Sequence, residues 1–154
     1  MATAKKPAPK DAIAMLKADH KKVSDLFAEF ESARAASTKK KLVSAICIEL
    51  SVHAQVEEEV FYPAVKAALK DKELIPEAVV EQATMKHLIG QIEGVDPDGE
   101  MYDAKVKVLC EYVKHHVKEE HKEMFPKAAK TRLDMMALGA EMAARKNVLL
   151  AAAR

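Results

Sequence analysis

Tryptophan is absent from this 154-residue chain, and aromatics amount to four phenylalanines and three tyrosines. So few rings leave no stacking platform for nucleic-acid bases. Glycine occurs only four times and proline six, too little for a turn-rich β-architecture or a disordered tract, while 49% of the residues are hydrophobic. Charge of one sign is missing as well: 25 Lys and Arg stand against 24 Asp and Glu. That balance gives no electrostatic case for a nucleic-acid partner. No apolar run is long enough for a membrane span, and no secretory apolar segment follows the start, so a cytoplasmic protein is expected. Cysteine appears twice, at Cys47 and Cys110, too sparingly for a disulfide framework. Both are read as small hydrophobes in helix interiors, with a disulfide between them as the alternative.

What remains is helical. Residues 1–10 read as a mobile Lys/Pro/Ala tail. Asp11 is a plausible N-cap for a first helix to near Ala35, with Ile13, Leu16, His20, Val23 and Phe27 on one stripe. A second helix is expected from Ser37 or Thr38 to Leu69, and a third from Pro76 to about Glu93, carrying Val80, Ala83, His87 and Gln91. A loop over Gly94 to Gly99 separates these from a fourth helix, about Glu100 to Lys130. Four long helices with short links make residues 11–130 an all-α, up-down-up-down antiparallel four-helix bundle. Residues 131–154 form an additional C-terminal helix whose Met135, Leu138, Met142 and Leu149 pack on the bundle or serve a homodimer; monomer and dimer both stand. Pro63 and Pro126 lie late in their helices, where a kink or local break is expected.

One pattern occurs twice in the same frame. His53-x-x-x-Glu57 runs into Phe61-Tyr62-Pro63, and His116-x-x-x-Glu120 runs into Met124-Phe125-Pro126, each 63 positions on (116 minus 53, 126 minus 63). Positions i and i+4 share a helix face, so each copy presents an imidazole beside a carboxylate, a pairing suited to iron, manganese or zinc. His20, His53, His87 and His116 each continue the apolar stripe of their own helix, whereas His115 and His121 fall off it and read as solvated bystanders. Glu57 and Glu120 face inward too, and a buried carboxylate costs several kcal/mol unless a cation compensates. No inward Lys or Arg is near, which leaves metal. The rival is a helical interaction protein with vestigial core polar residues.

One His on helix one, His-x-x-x-Glu on helix two, one His on helix three and His-x-x-x-Glu on helix four resembles the hemerythrin-like family, specifically its HHE cation-binding domain. That resemblance implies two non-haem iron ions with an oxo or hydroxo bridge. His20, His53, His87 and His116 would be terminal ligands, and Glu57 and Glu120 would bridge. Gln91 stands where oxygen-carrying members place a further His, and the fourth helix has His-x-x-x-Glu rather than His-x-x-x-x-Asp. Gln91 or Tyr62 would then lie near an open coordination position. The implied partner is a small oxidant (O2, hydrogen peroxide or nitric oxide), with catalase- or peroxidase-like decomposition favoured over reversible O2 carriage. Non-catalytic gas binding or sensing, or iron handling, is the alternative. Ferritin-like bundles need Glu-x-x-His, and no histidine here has an acid three residues before it.

Overall fold

Asp11 begins the ordered bundle as its sequence position suggests: its side chain accepts a hydrogen bond from the Ala14 backbone N–H at 2.7 Å and so caps α1, Ala12–Ser32. The computed structural model describes residues 10–153, and nearly all of the tail expected over residues 1–10 lies outside them. After α1 come α2 (Ala36–Val56), a π-helical turn π1 (Glu57–Phe61) and α3 (Tyr62–Leu69). The returning half is α4 (Leu74–Ile92), α5 (Glu100–Glu119), π2 (Glu120–Met124) and α6 (Phe125–Ala129), followed by α7 (Met135–Ala153). The fold is the expected all-α antiparallel bundle with an added C-terminal helix. α4 starts two residues before Pro76, because Asp71 accepts from the backbone N–H groups of Leu74 and Ile75 and supplies the cap.

The prolines do not break their helices. Each lacks an N–H, and its ring crowds the carbonyl four residues back. Both helices respond with a wider turn, in which the Tyr62 N–H bonds Glu57 O and the Phe125 N–H bonds Glu120 O. Residues five apart on an α-helix stand about 140° apart around the axis. The five-residue bond draws them toward one side, so Tyr62 faces inward with Glu57, and Phe125 with Glu120.

The core is divided. One apolar half, around Phe27, Ile46, Ile92 and Leu109, fills the end near the α4–α5 loop. The other, around Leu16, Phe61, Ile75, Phe125 and Met142, fills the opposite end. Buried polar side chains occupy the layer between them. Leu138 and Met142 of α7 belong to the second half, so the Met-rich stripe packs on this chain's own bundle. Cys47 and Cys110 are buried free thiols, and burial pushes the Cys47 thiol up to about 12.

Gly139 sets how closely α7 approaches the start of α1. A Cβ there would stand 2.4 Å from Lys10 O and 2.9 Å from Ala12 N, both backbone atoms that cannot swing aside. Gly139→Ala is expected to cost about 1–3 kcal/mol despite its better helix propensity. Thermal unfolding checks this, and an unchanged or raised Tm would show that α7 shifts freely.

Candidate metal centre

The polar layer is assembled from all four bundle helices. His20 comes from the middle of α1, His53 from the last turn of α2 and His116 from the last turn of α5. Glu57 and Glu120 are the first residues of the two π turns. One donor atom from each of His20, His53, Glu57 and Glu120 lies within 4.8 Å of all the others. His20 Nε2 is 3.2 Å from His53 Nε2 and 3.5 Å from Glu120 Oε1. Glu57 Oε1 is 2.7 Å from His53 Nε2, and Glu120 Oε1 is 3.2 Å from His116 Nε2.

Each imidazole is held from behind. The Nδ1 of His53 donates to Asp19 at 3.0 Å, that of His116 to Glu81 at 3.0 Å, and that of His20 faces His121 Nε2 at 2.8 Å. With Nδ1 engaged outward, Nε2 of all three rings points to the centre, the arrangement by which outer partners fix a ligand's tautomer and direction. Lys146 of α7 extends the chain outward, donating to Asp19 at 2.6 Å. Burial, reinforced by His53, drives His20 down to about 3, so its ring is neutral. Burial works against the charged form of His116, but the close Glu120 carboxylate and the charge of Glu57 outweigh that and raise it to about 9.

The carboxylates are the unsatisfied part. Glu57 and Glu120 are 0% and 1% exposed, and Glu57 Oε2 and both Glu120 oxygens accept no hydrogen bond. Burial, then the charge of Glu120, lifts Glu57 to about 7. Orphaned buried oxygens beside inward imidazole nitrogens are the donor set of a cation site once those rings give up their protons, and a cation would repair what the protein leaves unpaired.

The sequence pattern of the hemerythrin HHE cation-binding domain matches residues 11–128. The chain belongs to that family. The fold agrees with a crystal structure of a hemerythrin HHE cation-binding domain-containing protein from Mycobacterium kansasii. The TM-score is 0.80 over 93% of this chain and 89% of that one, at 24% identity. A protein from Nostoc sp. named a DNA nickase is 31% identical over 111 residues, 72% of this chain. The chain spans only 31% of that relative's length.

Two family expectations fail in this hemerythrin HHE domain. His87 and Gln91 are exposed and bond each other at 3.0 Å, outside the layer. The buried stripe of α4 is Ile75, Ala78, Gln82, Met85, Ile89 and Ile92, whereas Val80, the residue that suggested the other stripe, is 66% exposed. α4 instead contributes Gln82, 1% exposed, whose amide donates to Glu57 Oε1 at 3.2 Å and to the Tyr62 hydroxyl at 3.1 Å. Tyr62 does reach the layer, 3.1 Å from His116 Nε2. The bystander reading holds for His115, which is 60% exposed, but not for His121, which backs His20.

His87→Ala is therefore expected to leave bound metal unchanged, whereas Gln82→Ala lowers metal affinity about 10–100-fold. Metal quantitation on the purified variants decides it. Metal lost from the His87 variant alone would return that residue to the centre.

Proposed function

We propose that this layer holds a pair of iron ions with an oxo or hydroxo bridge and reacts there with a small oxidant. Peroxide decomposition is favoured over reversible O2 carriage, and nitric oxide capture is the non-catalytic version. The observation that carries the reading is the pair of fully buried carboxylates, three of whose four oxygens accept no hydrogen bond, beside three inward Nε2 atoms. Six-coordinate iron suits a dinuclear set of N and O donors better than tetrahedral zinc does. When bound, the iron pair supplies Lewis-acid and redox chemistry.

The chain's own residues do the rest. Glu57 and Glu120 would bridge, while His20, His53 and His116 would serve as terminal ligands. Three inward imidazoles would leave such a pair with positions free, a donor set suited to peroxide chemistry more than to clean O2 storage. Val23, Leu50, Met85 and Val113 wall a cavity of about 20 Å³ beside the layer. That is room for one water-sized molecule and little else. Burial and the charges of Glu57 and Glu120 keep the Tyr62 phenol protonated, so it can donate a hydrogen bond to an incoming ligand. The activity in the name of the Nostoc protein is not part of this reading. Most of that protein lies outside the shared stretch, and the near-neutral charge here gives no net field for a polyanion.

The test combines iron quantitation, an absorption spectrum of aerobically purified protein, and O2 release on adding hydrogen peroxide. Near-ultraviolet charge-transfer bands with O2 release beyond that of free iron support the enzyme. Bands without turnover reduce the proposal to binding, and protein without iron removes it.

A further inference from the structure

A groove bordering the layer is far larger than the oxidants named so far. Between α1 and α5 runs a groove of about 340 Å³ whose inner end is His20 beside His121. A diatomic oxidant needs about the volume of one water, about 30 Å³. The floor is apolar, formed by Val23, Phe27, Val113 and Val117. Along the rim stand Lys114 and Lys118 of α5, four residues apart and so on one helical face, and Lys122 of π2, which lines the same groove. No carboxylate lines the groove, and Asp25, next to the lining residue Ser24, is already paired with Lys21 at 3.0 Å. From Cys110 to Lys122 the rim is about 18 Å long at 1.5 Å per residue.

We propose that this groove binds an anionic amphiphile, a hydrocarbon chain of about ten carbons ending in a carboxylate. The chain would lie on the valine and phenylalanine floor and the carboxylate would meet the lysine rim. An apolar floor with cations along one edge matches such a ligand in both parts. O2 or hydrogen peroxide would use neither feature, and a phosphodiester strand would leave the floor unused. The proposal deepens the oxidant reading, since organic peroxides carried on such chains would be delivered to His20. The binding itself needs no metal.

Calorimetric titration of the full chain with decanoate tests it, in both metal-free and iron-loaded protein. Decanoate should bind, and decyltrimethylammonium, with the same chain and the opposite charge, should bind at least tenfold more weakly. Lys118→Glu removes one rim cation, and Ser24→Trp fills the groove from an exposed position. Each should weaken decanoate at least tenfold with an unchanged far-ultraviolet circular dichroism spectrum. Equal affinity for anion and cation, or wild-type affinity in both variants, overturns the proposal. So does displacement of decanoate by a lower concentration of a short single-stranded oligonucleotide, which would make the groove a phosphate track. A dimer by sedimentation that binds neither ligand overturns it in favour of a second copy of this chain. Absence of decanoate binding with intact peroxide turnover sinks the groove alone. Decanoate binding without iron chemistry sinks the oxidant reading alone.

Discussion

Glu57→Gln is expected to abolish metal loading while leaving the metal-free fold at least as stable as the wild type. Glutamine keeps the shape but supplies no anionic bridge, and loss of a ligand exceeds the 10–100-fold penalty typical of an outer partner. The stability of the metal-free protein moves the other way. Glu57 is buried beside Glu120 and lifted from the ordinary value of 4.5 to about 7. The folded chain therefore resists ionising it, and a permanently neutral side chain removes that resistance. A gain of about 1–3 kcal/mol at pH 8 is expected, or several degrees in Tm. Metal content and the melting temperature of chelated protein, measured together, check both halves. Metal retained at wild-type stoichiometry would remove Glu57 from the centre. A sharp fall in the metal-free Tm would make its role structural.

Chelation is expected to destabilise the protein more at pH 8 than at pH 6. In the metal-free state Glu57 has a folded value of about 7 against 4.5 unfolded, so stability falls as pH rises between those values. His116 has a folded value of about 9 against 6.5. Its contribution is complete below 6.5 and is lost as pH climbs through 9. His20 runs opposite, with a folded value of about 3, and its contribution is lost only as pH falls below 6.5. His53 acts in the same sense as His116: burial opposes its charge, but Glu57 and Asp19 outweigh burial and raise it well above 6.5. The metal-free protein is thus weakened on the alkaline side by Glu57, His116 and His53. Bound metal competes with the same protons, so loading adds most stability where they are already absent. With metal at 1,000 times its dissociation constant the gain is about 4 kcal/mol. Melting curves of loaded and chelated protein at the two pH values measure the difference. A gap of equal size at both would disconnect the metal from these side chains.

Much of this was legible in the residues because the repeat is long and strict. His53, Glu57, His116 and Glu120 sit where helical spacing puts them, one turn apart on helices with unambiguous apolar stripes. α4 was not legible in the same way. Val79 and Val80 are exposed, so two apolar stripes compete, and the one containing His87 looked richer in chemistry than the one containing Gln82. Asp19 had a usable signal, a carboxylate between Leu16 and Val23 on the buried stripe of α1. The π turns leave no periodic trace of their own. An aromatic-Pro pair after each glutamate marks where the helix must widen, but not that it widens rather than kinks. Glu81 and Lys146 lack any local signal, because their partners lie 35 and 127 positions away.

The stretch shared with the family ends at residue 128, yet Lys146 reaches Asp19, and Arg145 forks onto Glu59 within π1. A protein trimmed at that border would retain every inward-pointing nitrogen and every orphaned oxygen. It would nonetheless lose the strut that braces one histidine's anchor, and Leu16 and Val56 would lose apolar cover from Leu138 and Met142. α7 therefore supplies no donor to the centre, yet it braces the elements that hold the donors in place.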